Sequence, residues 1–181
     1  MTAVTLNGTE SAGKLTVKEF WKSINYCESA TMQYITSDFT SITGKHIKDR
    51  KQTETYIQLF NQYRELVKKQ KYEEASEIFR TLLDMSGAKI VKRDTRKFSE
   101  LSAKERQQTI AFMKQANSFP DKYTVRKNQT MKITSFSISG NQAVANISFQ
   151  DIFKTGTAKI SLKKVNGKWL VCKLEKITDT P

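Results

Sequence analysis

The chain has 181 residues, 38% hydrophobic and 10% aromatic, which is long and apolar enough for one domain with a buried core. Its 31 Lys and Arg against 18 Asp and Glu give a formal charge of +13, which attracts phosphate groups, anionic lipid or acidic proteins. It holds no run of about 18 apolar residues and no apolar opening stretch, so neither a membrane-spanning helix nor a secretory signal is predicted.

The N-terminal part is predicted to hold a polar tail and a long helix. Residues 1–15 are rich in Thr, Ser, Gly and Asn, and we expect them to form a flexible tail. Thr16 and Glu19 form a capping-box pattern, and apolar residues recur at helical spacing from Phe20 onward. The pattern predicts a helix of about five turns that ends near Asp38.

Three further helices are predicted in the middle of the chain. Residues 52–69 and 72–85 each carry an apolar stripe, and we expect them to form a helical hairpin that ends at Gly87. An N-cap pattern at Ser102 opens a fourth helix, and Pro120 is expected to end it.

The C-terminal third is predicted to form strands, because the apolar period changes from 3.6 to 2 at Tyr123. Asn166-Gly167 is the strongest hairpin signal, since a type I′ turn needs positive φ at both central residues. The strands are expected at 122–127, 130–138, 143–153, 156–165 and 168–177.

These elements predict an α+β fold with a single domain over residues 16–181. The domain is expected to be helical over 16–119 and to end in an antiparallel sheet over 122–177, formed by the C-terminal third. The long N-terminal helix and the helical insert are expected to pack on that sheet.

Two C-terminal motifs resemble the nuclear-transport-factor-two-like superfamily, whose members share a cystatin-like cone. Residues 140–144 read Gly-Asn-Gln-Ala-Val, where the family has "gdxAxV" on a strand pair. Residues 166–169 read Asn-Gly-Lys-Trp, where the last hairpin of the family has "dGkWk". The first helix and its exit, with Tyr34, Asp38 and Phe39, are also similar to the family.

The resemblance covers about 16–45 and 122–177 and is closest to small bacterial envelope members, many of them lipoproteins of unknown function. It implies a curved antiparallel sheet wrapped around the long first helix, in a cone that often holds an apolar pocket. The middle of the chain, 49–116, is longer and more helical than is usual in the family.

The resemblance also supplies a catalytic hypothesis. Family enzymes that isomerise or dehydrate use an Asp base inside the cone, with a His or Tyr partner, and here Asp38 would be the base with Tyr34 or His46 beside it. The alternative for Asp38 is a turn residue that bonds to nearby backbone. We favour the alternative, because a catalytic base needs a second titratable group within reach.

A non-enzymatic role is the leading hypothesis, because the sheet positions expected to line the cone carry no Glu or His. These positions are Phe136, Ile138, Val144, Asn146 and Ser148. We therefore expect a ligand-binding or protein-interaction module whose partner is a small apolar ligand, another protein, or a second copy through the sheet.

A third hypothesis is binding to nucleic acid or anionic lipid through a basic cluster. Only Phe98 lies near this cluster, whereas nucleic-acid binders interleave several aromatic residues, so a solvated connector is favoured. The cluster consists of Lys89, Lys92, Arg93, Arg96 and Lys97.

Neither a metal nor a cofactor is predicted. Cys27, Cys172 and the single His46 are too few for a four-ligand zinc site. The two cysteines are expected to be free thiols, or a disulfide if the first helix packs on the last strand and the protein is exported. The protein is expected at the cell envelope if its gene begins upstream of Met1 with a signal and lipid anchor, and in the cytoplasm otherwise.

Overall fold

The computed structural model describes residues 3–26, 28–43, 46–87, 94–150 and 155–180. The described elements are helices and the strands of one sheet. In chain order they are α1 (Ala3–Tyr26), a 3-10 helix (Glu28–Tyr34), β1 (Ile35–Thr43), β2 (His46–Asp49), α2 (Arg50–Lys68), α3 (Tyr72–Ser86), a second 3-10 helix (Phe98–Glu100), α4 (Ala103–Thr130), β3 (Lys132–Ser139), β4 (Gln142–Gln150), β5 (Thr155–Val165) and β6 (Lys168–Thr180).

The predicted α+β class is confirmed, since helices pack on a curved, six-stranded sheet with the order β2-β1-β6-β5-β4-β3. The strands β3 to β6 form the expected antiparallel meander. The prediction that the C-terminal third alone forms an antiparallel sheet is wrong, because β1 pairs with β6 in parallel and β2 extends that edge. The sequence of β1 is rich in Ile and Thr, which favour strands, but the helical stripe before it obscured that signal.

Helix α1 is covered by one face of the sheet, as predicted. Its side chains Val17 and Phe20 are fully buried and belong to one cluster with Ala145, Ile160 and Val171 of the sheet. The burial of β4 and β5 alternates residue by residue, because successive side chains of a strand point to opposite faces. We call the face that contacts α1 the inner face and the opposite one the outer face.

The beginning and end of α1 differ from the prediction. The helix begins at Ala3, so the described part of the expected tail is helical, and it ends at Tyr26 rather than near Asp38. Thr16 lies within the helix and its hydroxyl donates to the carbonyls of Ala12 and Trp169, at 3.2 Å each, instead of capping a helix start. Tertiary contacts of the N-terminal half therefore outweigh its weak helix propensity.

Helix α4 also runs further than predicted. It continues past Pro120 to Thr130, so the strand expected at 122–127 is wrong. A short alternating segment cannot be assigned to a strand by periodicity alone, and a strand needs a neighbour. The described sheet ends at β3 on that side, where no further strand pairs.

Several local predictions are confirmed. Ser102 and Glu105 form the expected capping box of α4, with Glu105 accepting from the Ser102 N–H at 2.8 Å. The α2–α3 hairpin ends at Gly87 in the left-handed conformation. Asn166 and Gly167 both have positive φ, as the type I′ turn requires.

The helices α2, α3 and α4 share a second apolar cluster, separate from the one under the sheet. Its buried members are Tyr63, Val67, Ala75, Leu82 and Met113. Burial without a polar contact raises the pKa of Tyr63 to about 12. None of the described helices is long and apolar enough to cross a membrane.

Candidate functional site

Asp38 lies in a bulge of β1. Ile35 pairs with Val171 and Thr40 pairs with Lys173, so five residue steps on β1 face two on β6. The intervening residues lose the alternation of a regular strand, with Ser37 and Asp38 both exposed between buried neighbours. Bulges of this kind redirect side chains and are common beside functional sites.

A second irregularity lies beside it on β6. Ser161 of β5 pairs with Lys173 and Leu162 pairs with Val171, so Cys172 has no opposite residue. The Cys172 thiol donates to the Ser161 carbonyl at 3.3 Å, and partial burial raises its pKa. The thiol is therefore held protonated rather than activated as a nucleophile.

Arg50 holds the bulge of β1 from the helical side. Its guanidinium Nη1 donates to the backbone carbonyls of Ile35 at 2.9 Å and Thr36 at 3.1 Å. Arg50 therefore ties the start of α2 to the first two residues of β1, next to the bulge. No sequence pattern indicates this role, apart from the position of Arg50 at the start of α2, directly after the N-cap Asp49.

The Asp38 carboxylate is an exposed member of an ion pair. Its Oδ2 accepts from Lys163 Nζ at 2.9 Å, and 61% of its side chain is accessible. The neighbouring Thr36 hydroxyl and the Lys163 ammonium hold the pKa of Asp38 below its ordinary value. The Thr36 contact does not meet the geometry of a hydrogen bond, so we regard the Lys163 contact as the firmer cause. A general base needs a raised pKa and a site shielded from water, and Asp38 has neither.

The three residues of the catalytic hypothesis lie in different surroundings. Tyr34 packs against the inner-face cluster at the end of the first 3-10 helix. His46 pairs with Thr43 at the far end of β1, and its ring lies against the backbone of Gly87. The Asp38 side chain contacts Lys163. None of these contacts joins Asp38 to Tyr34 or to His46.

The five predicted pocket residues divide between the two faces of the sheet. Phe136 and Ile138 pair with Ala145 and Ala143, so they face α1. The other three are half-buried side chains on the outer face, namely Val144, Asn146 and Ser148. The alternation of side chains along β4 was predicted correctly. Phe136 and Ile138 lie on the opposite face of the sheet from the other three residues, so the five cannot line one cavity.

The space between α1 and the inner face is filled by side chains. Phe20 and Ile160 have no accessible surface, whereas a side chain that borders a water-sized cavity retains some. Trp21 and Phe149 add a ring contact at 4.8 Å between centroids. The apolar pocket that the resemblance implied is therefore absent around these described residues.

The described side chains of the outer face are partly accessible, and most of their charges are paired. The ion pairs Lys163–Asp38 at 2.9 Å and Lys173–Glu175 at 3.0 Å neutralise most of its charge. The remaining described side chains of this face are half-buried or exposed and, apart from Lys159, small or medium-sized. They include Ser135, Ser137, Val144, Asn146, Ser148, Lys159 and Ser161.

The basic cluster is only partly within the described residues. Lys89, Lys92 and Arg93 lie outside them, and Lys97 is exposed. Arg96 is held by two carboxylates, those of Asp94 and Glu105, at 2.8 Å each. Its hydrogen bonds lower the pKa of Glu105 to about 2, so the guanidinium is committed within the chain.

Cys172 is a free thiol, and Cys27, the other cysteine of the alternative disulfide, lies outside the described residues. Within the described ranges, no group of three or more His, Cys, Asp and Glu side chains is placed to hold a metal ion.

Comparisons with known proteins return similarities of fold. No protein-family model matches the sequence, and the search of curated proteins finds no match either. Among solved structures the chain is similar to an NTF2-like protein of unknown function from Shewanella baltica OS155, with a TM-score of 0.46, 12% identity, and 100% of this chain and 98% of that chain covered. It is also similar to a de novo designed NTF2-fold protein, NT-9, with a TM-score of 0.38, 11% identity, and 92% and 82% covered. Both belong to the fold family that the sequence resembles, and at these values nothing about function is taken from them.

Proposed function

We propose that this chain is a non-enzymatic protein-interaction module and that the outer face of the sheet is its contact surface. The observation that carries the proposal is the contrast between the two faces. The side chains of the inner face are buried against α1, whereas those of the outer face are half-buried, as at Val144 and Ser161, or exposed, as at Ser135 and Ser137. An open sheet face of small side chains can pack on a second sheet at about 10 Å.

The charge of the chain supports a second copy as the partner. Two molecules of charge +13 repel each other, so they can approach only through a surface whose own charges are neutralised. The outer face meets this requirement, because Asp38 and Glu175 pair with its lysines. Contact between identical faces gives a closed two-fold dimer.

Light scattering on the wild type and two matched variants tests this proposal. Val144→Arg places a new positive charge in the centre of the outer face, and we expect it to convert the dimer into a monomer. Gln62→Arg adds the same charge to an exposed position of α2 and should leave the dimer intact. Circular dichroism checks that both variants are folded. A monomeric wild type, or an equal response of the two variants, contradicts the proposal.

The two alternatives remain hypotheses without added support. An isomerase or dehydratase would need Asp38 in a shielded apolar site, and its carboxylate is exposed and paired with Lys163. An anionic-surface binder would use the basic cluster, in which Arg96 is bound to carboxylates of the chain itself.

A further inference from the structure

One edge of the sheet is open along β3. The described sheet ends at this strand, and no described residue pairs with its far side. A bulge between Ile133 and Ser135 interrupts the start of the strand, so the regular part of the edge covers residues 135–139, which we call the β3 edge. An edge strand presents N–H and C=O groups that are a template for a further strand.

The pairing with β4 determines which backbone groups of the β3 edge face outward. Ser139 pairs with Gln142 across a two-residue turn, and hydrogen-bonded pairs alternate with non-bonded pairs from there along the antiparallel ladder. The backbone groups of Ser137 therefore bond to β4, whereas those of Phe136 and Ile138 point away from it. Phe136 and Ile138 thus each offer an N–H and a C=O group to a further strand.

The β3 edge lacks the charges that commonly protect an edge strand. Residues 133–150, which hold all of β4 and all but the first residue of β3, include no Asp, Glu, Lys or Arg, although 27% of the chain is charged. A Lys, a Pro or an inward-pointing charge on an edge strand discourages pairing with another chain. The opposite edge, β2, is short and carries Lys48 and Asp49. The two edges of the sheet therefore differ, and only β3 is without such protection.

The side chains of the β3 edge suit a neighbouring strand with alternating residues. Phe136 and Ile138 are half-buried against the inner-face cluster, and a further strand would cover their remaining exposed surface. The side chains on the other side of the strand are small and exposed, namely Ser135, Ser137 and Ser139. Such a strand would place apolar side chains beside Phe136 and Ile138, and polar ones beside the serines.

We propose that the β3 edge binds an extended segment of a partner protein as an added strand. The centre of that segment is uncharged, with an apolar residue at every second position, and acidic residues flank it. Only a polypeptide presents N–H and C=O groups at the spacing of a strand, which selects a protein partner. The charge of +13 and the exposed Lys132 at the start of β3 attract an acidic segment and repel a second copy.

This inference goes beyond the outer-face dimer and does not depend on it. Two sheets that pack face to face contact each other through their faces, so the β3 edge of each copy stays open. Light scattering reports the dimer, whereas binding of a peptide reports the edge. Either proposal can therefore fail without the other.

Hydrogen exchange followed by nuclear magnetic resonance tests the proposal on the full ¹⁵N-labelled chain. The probe is the peptide acetyl-Glu-Val-Thr-Val-Thr-Val-Glu-amide. We expect it to slow exchange of the Phe136 and Ile138 amides by about fivefold or more when most of the chain is bound. The Ser137 amide should exchange slowly with or without the peptide, because it already bonds to β4. A counterpart with Lys in place of both Glu residues should bind about threefold more weakly or less, because its charges are repelled.

Two substitutions of one residue locate the binding. Ile138→Pro removes an N–H that faces outward, so the ladder with β4 keeps its hydrogen bonds. Ile138→Ala is the matched control, because it loses the same side chain and keeps the N–H. We expect proline to weaken binding of the Glu peptide by about fivefold or more relative to alanine. Circular dichroism checks that both variants are folded.

A change in the peptide gives the same comparison on the wild-type chain, whether or not Ile138→Pro folds. The peptide acetyl-Glu-Val-Thr-Pro-Thr-Val-Glu-amide lacks the central N–H that faces β3, and we expect it to leave exchange unchanged. The proposal is overturned if the Glu peptide does not slow exchange at Phe136 and Ile138, or if the Pro or Lys peptide slows it equally. Protection of these amides that rises with the concentration of the free chain would assign the edge to a second copy and also overturn it.

Discussion

Gly13 of α1 lies directly against the ring of Phe136 on β3. A Cβ atom added at Gly13 would come within 3.0 Å of the Phe136 ring, which real Cβ atoms essentially never do. Gly13 belongs to the segment expected from the sequence to be a tail, and this contact fixes that segment to the sheet as part of a helix.

We expect Gly13→Ala and Gly8→Ala to change stability in opposite directions. Both replace a helical glycine, and Gly8→Ala should stabilise by about 1 kcal/mol because it meets nothing within 4 Å and improves helix propensity. Gly13→Ala gains the same propensity but forces Phe136 to move, so we expect a net loss of about 1–2 kcal/mol. Urea unfolding measures both. Addition of Phe136→Leu should recover most of the loss, and equal stabilisation by the two alanines would show that the contact is absent.

Arg50 should contribute more to stability than its exposed neighbour Lys51. Arg50→Met leaves the carbonyls of Ile35 and Thr36 without their donor, and an unsatisfied buried group costs about 1–3 kcal/mol. Lys51→Met removes the same charge from an exposed position of α2 and should cost less than about 0.5 kcal/mol. Chemical denaturation of the two variants gives the comparison. Similar small losses would mean that the bulge of β1 does not require Arg50.

The features that could be predicted from the sequence depend on nearby residues. The capping box at Ser102, the left-handed Gly87 and the Asn166-Gly167 turn each rest on contacts within a few residues. The alternation of β4 was predicted as well, but which of its faces meets α1 depends on packing with a helix that ends at Tyr26, far from β4 in the sequence.

The features that were missed depend on distant residues. The parallel pairing of β1 with β6 and the contact of Asp38 with Lys163, 125 residues apart, have no local pattern. The bulge of β1 also breaks the alternation by which a strand is recognised. The candidate site therefore could not be assembled from the sequence, whereas the order of most helices and strands could.

Gly87→Ala should cost more than Gly140→Ala, although both residues have left-handed backbones. Their φ angles are +66° and +60°, so the backbone strain of an alanine should be similar, about 1–2 kcal/mol. Gly140 has nothing within 4 Å of an added Cβ, whereas at Gly87 the Cβ would meet the His46 ring at less than 3.0 Å. His46→Ala should remove the excess loss at Gly87 and leave the loss at Gly140 unchanged. Thermal unfolding of Gly87→Ala and Gly140→Ala, each with and without His46→Ala and compared with its own parent, checks this. Equal losses for the two alanines would mean that β2 does not rest on the end of α3.

The Asp38–Lys163 ion pair should make a small contribution to stability that disappears in acid. The pKa of Asp38 is lowered from 3.8 by Thr36 and Lys163, so the unfolded chain binds a proton more readily at this residue. The contribution is therefore complete above about pH 5 and is lost as the pH falls through the lower pKa of the folded state. Because the pair is exposed and screened by solvent, its contribution should be small, as it is for most surface ion pairs. The difference in unfolding free energy between the wild type and Asp38→Asn should narrow toward zero from about pH 5 to about pH 2. Lys163→Met should show the same pH dependence. The double variant with Asp38→Asn and Lys163→Met should lose no more stability than either single variant. A difference that persists unchanged in acid would mean that Asp38 acts through its backbone bulge and not through its charge.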